Sequence, residues 1–123
     1  MKDFITPADH INFLSKRLFT DEGEIINGSI AYIAPKGGGP VEMHAHEHNH
    51  LFIVVSGQAK IVFKNGKEVT VNENEACIID GKSPHSVWNN TPKNTVMIEI
   101  SVKPKKAANE EMPYKILNIV SGK

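Results

Sequence analysis

Disulfides, long apolar runs and an excess of either charge are all missing from this sequence. One cysteine, Cys77, stands among 123 residues, so no internal disulfide can form and a reducing compartment is the expected setting. Lys and Arg together number 14, as do Asp and Glu. That balance offers no basic field to a nucleic-acid backbone and no acidic tail. The most apolar run, LFIVV at residues 51–55, is far too short to cross a bilayer. The opening MKDFITPADHINFL is interrupted by Asp3, Pro7, Asp9 and His10, so it lacks the unbroken apolar segment of a secretory signal. The expectation is a cytoplasmic protein that binds neither nucleic acid nor membrane. Its apolar share of 40% suffices for one modest core, and its length suits one domain.

What the sequence does have is punctuation. From about residue 25 onward, turn signals recur at short intervals: Gly37-Gly38-Gly39-Pro40, Gly57, Asn65-Gly66, Asn72 with Asn74, Gly81 with Pro84, and Asn89 to Pro92. Short runs rich in Val, Ile and Phe lie between them, the mark of an all-β sandwich or barrel. Asn-Gly in KIVFKNGKEVTV predicts a two-residue hairpin turn, since both residues tolerate positive φ. After residue 25 no apolar pattern persists over three helical turns, so a helical core is excluded.

The ends read differently. TPADHINFLSKRLF carries Ile11, Leu14 and Leu18 at helix-like spacing, which predicts a short N-terminal helix or an arm over residues 1–24. Residues 25–102 form the barrel. Residues 103–123 comprise the polar connector KPKKAANEEMP and then YKILNIV, a candidate edge strand for this barrel or for a neighbouring subunit.

Four of the six histidines, His44, His46, His48 and His50, fall at every second position just before LFIVV. Read as a strand, VEMHAH places Glu42, His44 and His46 on one face. In the next run His50, Phe52 and Val54 share a face, with Leu51, Ile53 and Val55 opposite, which predicts a strand buried on both sides. Imidazoles leading into such a strand suffer desolvation unless something satisfies them. Two rings at i and i+2 on a strand can converge on Zn, Fe, Ni or Cu. The alternative is a solvated polar edge with weak metal affinity.

GGPVEMHAHEHNHLFIVVSG resembles the first cupin motif, G-x5-H-x-H-x3-E-x6-G, with Gly38, His44, His46 and Gly57 in place and His50 where glutamate is usual. NEACIIDGKSPHSVWN resembles the second, G-x5-P-x-G-x2-H-x3-N, with His85 and Asn89 matching. There Asn74 replaces the opening glycine, Asp80 the proline and Lys82 the second glycine, with Gly81 one place early. The chain is thus similar to small single-domain bacterial-type cupins, and the resemblance spans about residues 25 to 102. It implies a double-stranded β-helix, or jelly roll. It also implies one divalent transition metal ion (Zn, Fe, Ni or Mn) held by His44, His46, His50 and His85. Four neutral imidazoles in place of three and a carboxylate remove one negative charge, making the ion a stronger Lewis acid.

Other residues carry open alternatives. Glu42 is a candidate acid, base or ligand, or an exposed charge. Glu99 in TVMIEISV shares a face with Met97 and Ser101, and is a candidate acid or base if that face looks inward. Tyr32, Phe52, Met97 and Asn89 are candidate pocket residues, with core packing as the alternative for Phe52. His48 reads as a bystander in the turn, with a register that substitutes it for a neighbour left open. His10 reads as a surface residue and Cys77 as a buried core residue.

Two functions follow. One is a metal-dependent enzyme acting on a small oxygenated molecule, of the dioxygenase, isomerase or cyclase type. The other is a non-catalytic module that senses a small molecule or metal. A carboxylate facing the metal site favours the enzyme. A small-molecule ligand and a homodimer are the expected partners, because barrels of this kind cover their strand edges by pairing.

Overall fold

The computed structural model describes residues 2–104 and 114–117. Every regular element among them is a strand: β1 (Ile11–Glu22), β2 (Ile25–Gly39), β3 (Asn49–Ser56), β4 (Gln58–Phe63), β5 (Glu68–Asn72), β6 (Ala76–Ile79), β7 (His85–Trp88), β8 (Thr95–Val102) and β9 (Tyr114–Leu117). All pairings are antiparallel, in the order β5-β4-β7-β2-β8-β3-β6-β9, with β1 added against β2. No helix among the described residues is long and apolar enough to cross a membrane.

β2 is the hinge of the architecture. Its first part, Ile25–Ile33, pairs with β8, and its end, Gly38–Gly39, pairs with β7, so it links the two halves of the one sheet. Gly38 permits that crossing: a Cβ there would run into the Val87 carbonyl and the Trp88 indole. The sheet therefore curls into a nearly closed barrel. Its core gathers inward residues of both halves, including Ile33, Val54, Ile61, Val71, Ile79 and Met97, all fully buried. Each such side chain contributes about 1.5–3 kcal/mol through removal from water.

Three local expectations change. Of the two N-terminal alternatives the helix does not form: Ile11–Glu22 is strand β1, paired along β2 from Ile11–Gly38 to Glu22–Ile25. Phe13 is its core residue at 2% exposure, while the helix-spaced Ile11, Leu14 and Leu18 stay exposed. Tertiary pairing with a long neighbouring strand overrides the local pattern. The β4–β5 hairpin forms, but its turn is longer than two residues: Phe63 N–H donates to the Lys67 carbonyl at 2.8 Å and Gly66 N–H to the Phe63 carbonyl at 2.8 Å. Gly66 is left-handed (φ 95°) and Asn65 is not; Asn65 instead accepts the Lys67 N–H on Oδ1 at 2.9 Å. β3 is buried on one face only, with Phe52 and Val54 inside and Val55 48% exposed on the other.

Tyr114–Leu117 is the edge strand β9, and it pairs with β6 of its own chain. The connector at 105–113 and the remainder of YKILNIV, 118–120, lie outside the described residues. Asn74 sits in left-handed geometry at φ 68°, as its glycine-replacing position requires. Cys77 is fully buried between β3 and β9, and burial pushes its thiol up to about 11, against a lowering contact from the Lys115 backbone.

Candidate metal centre

The histidines come from three places. His50 is on β3, His85 opens β7, and His44, His46 and His48 lie on the irregular stretch before β3. That stretch is not a strand, so two-residue alternation does not govern it; β3 starts only at Asn49. Its conformation is set from outside. His46 N–H donates to the Gly81 carbonyl at 2.7 Å, and Gly81 N–H donates to Asn49 Oδ1 at 3.0 Å. A Cβ on Gly81 would collide with the carbonyls of His48 and His46, so only glycine lets the two loops touch. The first histidine loop and the loop before His85 are thereby locked together.

The imidazoles form a continuous group. Ring centroids are 4.6 Å apart for His44–His46, 5.3 Å for His46–His50, 4.9 Å for His48–His50 and 5.3 Å for His50–His85. The Ser83 carbonyl, 2.8 Å from His85 Nδ1, can only accept, so the hydrogen is on Nδ1 and Nε2 carries a lone pair. His50 Nδ1 donates to that Nε2 at 3.3 Å. His50 Nε2 is then the acceptor for His48 Nε2 at 3.2 Å. The same logic frees His44 Nε2, since His44 Nδ1 donates to the Glu42 carbonyl at 3.3 Å. A carbonyl-fixed tautomer with the other nitrogen unprotonated is how proteins prepare imidazole ligands.

Burial favours the neutral form of three of these rings, His46, His50 and His85. Burial, then His85, His48 and His46, bring His50 down to about 3. His46 is lowered by burial and then by His44, His48 and His85. His85 is lowered by burial, with the Ser83 carbonyl acting the other way. Neutral imidazole is the form that binds a metal.

The donor set fits a transition metal in its chemistry. The 3.2 and 3.3 Å nitrogen separations are near the roughly 3.4 Å between donors sharing one tetrahedral ion at about 2.0–2.1 Å, and each contact as placed is an N–H···N hydrogen bond with a single lone pair. The two contacts use different nitrogens of His50, however. Among the described residues no three His, Cys, Asp or Glu side chains surround one point. The rings as placed hand hydrogens along a chain; holding an ion requires side-chain rotation around His50.

The remaining candidates divide. Phe52 lies against the cluster, its ring 5.7 Å from His50 and 6.1 Å from His85. Met97 is fully buried in the core. Glu99 is opposite buried Phe52, and Ser101, next on the same face, is opposite His50; this polar face of β8 therefore looks into the barrel. Burial raises the Glu99 carboxyl to about 7, with Arg17 pulling it down. Tyr32 is not brought to the cluster. Its buried neighbours Ala31 and Ile33 point inward, and Tyr32 meets Phe4 edge-on at 5.5 Å on the outer side. Asn89 is buried and saturated: Nδ2 donates to the Ile33 and Lys93 carbonyls at 2.8 Å each, and Oδ1 accepts from the Thr91 N–H at 2.9 Å and Oγ1 at 2.7 Å. Glu42 is exposed, with its backbone N–H on Asp9 Oδ2 at 2.9 Å. His10 packs edge-on against Phe13 at 4.5 Å. Two polar residues in line with Glu99 were missed from sequence, the buried Ser29 and the exposed Arg17 opposite it. The signal for Arg17 was the alternation Phe13-Ser15-Arg17, hidden by the helix-like spacing of Ile11, Leu14 and Leu18.

Residues 30–101 match the Cupin_2 family, a cupin domain, and the chain belongs to that family. Among solved structures it is similar to Ylba from E. coli (13% identity, TM-score 0.76), covering 94% of this chain and 48% of that one. The chain thus spans about half the length of Ylba. It is also similar to the polyketide cyclase RemF from Streptomyces resistomycificus (16% identity, TM-score 0.66, 96% and 78% coverage). A third likeness is to the Cupin_2 domain of an XRE family transcriptional regulator from Enterobacter cloacae (21% identity, TM-score 0.67, 76% and 99% coverage). At these identities the likenesses establish the fold alone. No curated protein matches the sequence.

Proposed function

We propose that this cupin binds one divalent transition metal ion through His44, His46, His50 and His85 and acts as an enzyme on a small oxygenated organic molecule. The observation that carries the metal site is the meeting of His50 and His85, from separate motifs, at 3.3 Å with neutral rings and a fixed tautomer. When bound, the ion supplies Lewis-acid polarisation of an oxygen on the substrate. The chain's own part is to present unprotonated nitrogens, to shield the site with Phe52, and to offer Glu99 as the group that holds or moves a proton. A carboxyl near pH 7 inside the barrel favours catalysis over passive binding, because a general acid or base works best with such a value. Homodimerisation belongs to the same reading, supported by the exposed Leu14 and Leu18 on β1. A cytoplasmic setting also belongs to it, in keeping with the free thiol of Cys77.

The test is elemental analysis of tag-free protein purified without nickel resin, beside His50→Ala. About one equivalent of a single transition metal, lost in the variant, supports the site. Substoichiometric mixed metals, unchanged in the variant, remove His50 from the ligand set and leave the non-catalytic binding module as the reading.

A further inference from the structure

The inner face carries a second polar group that the histidine cluster does not use. Arg17 on β1 is opposite Ser29 on β2, and Ser29 is opposite Glu99 on β8. Directly opposed residues of antiparallel strands share a face. Glu99 is in turn opposite buried Phe52, so Ser29 and Glu99 point into the barrel, beside the ring that touches His50 and His85, while Arg17 at the other end of the row is exposed at its edge.

Arg17 Nε donates to Ser29 Oγ at 3.0 Å. Among the described residues the guanidinium makes no other hydrogen bond and no ion pair, and the Glu99 carboxyl has no hydrogen-bond partner. No buried side-chain polar atom among them is left unsatisfied. The unbonded Glu99 oxygens therefore keep a path to solvent, although burial raises that carboxyl to about 7. At the Arg17 end of the row lies a cavity of about 290 Å³ lined by Asp3, Ile5, Ser15, Lys16, Arg17 and Ser29. Two cations and two hydroxyls stand there against the single carboxylate of Asp3.

A guanidinium with free N–H groups matches a planar carboxylate in bidentate fashion, and a protonated carboxyl across from it donates where an ionised one repels. Arg17 and Glu99 are two strands apart, with Ser29 between them, so their Cα atoms lie roughly 10 Å from each other.

We propose that the Arg17–Ser29–Glu99 row is the ligand subsite of the barrel and that it selects small carboxylates, Arg17 holding the ligand's carboxylate and Glu99 facing it across Ser29. This rests on the reading of the barrel as a small-molecule site and deepens it by naming the ligand class; it is independent of the metal.

The test is a two-dimensional amide NMR titration of the whole protein with acetate, pyruvate, malonate and benzoate, with pyruvamide as the neutral control. Saturable shifts of the Arg17, Ser29 and Glu99 amides with at least one carboxylate and none with pyruvamide are expected. Arg17→Met should weaken that binding roughly tenfold or more and Arg17→Lys should fall between, since lysine lacks the bidentate fork. Arg17→Met should keep a wild-type spectrum elsewhere and the wild-type metal content. Absence of saturable shifts with all four carboxylates, equal binding of pyruvamide, or unchanged binding in Arg17→Met would each overturn the inference. Metal without carboxylate binding overturns this subsite alone; carboxylate binding without metal overturns the metal reading and leaves the subsite standing.

Discussion

The amide of His46 donates to the carbonyl of Gly81 at 2.7 Å, joining the two stretches that carry the histidines. The contact is backbone to backbone and leaves no space for a side chain at Gly81. The cluster is thus positioned by a residue that is not one of its members.

Gly81→Ala should separate the loops. The added methyl meets backbone carbonyls, which cannot rotate away as a side chain does. A loss of roughly 2–4 kcal/mol of stability is expected, together with weaker metal uptake. Thermal unfolding and metal titration of the variant check both. An unchanged metal affinity would show that the loops hold their positions without this contact.

His48, read from sequence as a bystander, lies beside His50 and can be tested against His44 as a ligand. His48 Nε2 is 3.2 Å from His50, while His44 is reached through His46. With His44 as ligand, His44→Ala should lower metal affinity at least tenfold and His48→Ala should leave stoichiometry at one. The reverse pattern would move His48 into the ligand set.

Glu99 should make stability depend on pH in a definite direction. Its folded value, about 7, lies above the model-compound 4.5. Between these values the folded protein keeps a proton that the unfolded chain has released, so its stabilising share is full below about 4.5 and is lost as pH rises through 7. Glu99→Gln should therefore melt higher than wild type at pH 8, by up to roughly 3 kcal/mol, and nearly level with it at pH 5. Paired melting curves at the two pH values decide it; an equal difference at both would mean that the carboxyl titrates normally.

Asn89 should behave as a fastener for the β7–β8 connection. Its amide makes four hydrogen bonds from a fully buried position. Asn89→Ala strands the Ile33 and Lys93 carbonyls and should cost roughly 2–4 kcal/mol. Metal content and carboxylate binding of the folded variant should match wild type, a result that a pocket residue would not give.

Some of this architecture was legible in the amino-acid order because its causes are local. Regular turn residues exclude a helical core, Asn74 tolerates the left-handed position it occupies, and the spacing around His44, His46, His50 and His85 carries two cupin motifs. The small apolar Cys77 was readable as core for the same reason.

Tertiary structure decided the rest. Alternation along a strand says which side chains share a face but not which face another sheet covers, and covering is a non-local event. That is why Glu99 turned out to look inward, Tyr32 outward, and β3 to be buried on one side only. It is also why Ile11–Glu22, helix-like by spacing, is a strand: β2 offers it a ladder and buries Phe13, more than an isolated turn of helix can offer. By itself the sequence determined the β class and the motif histidines; chain segments far apart in sequence decided which polar side chains share the barrel with them, because only packing removes a face from water.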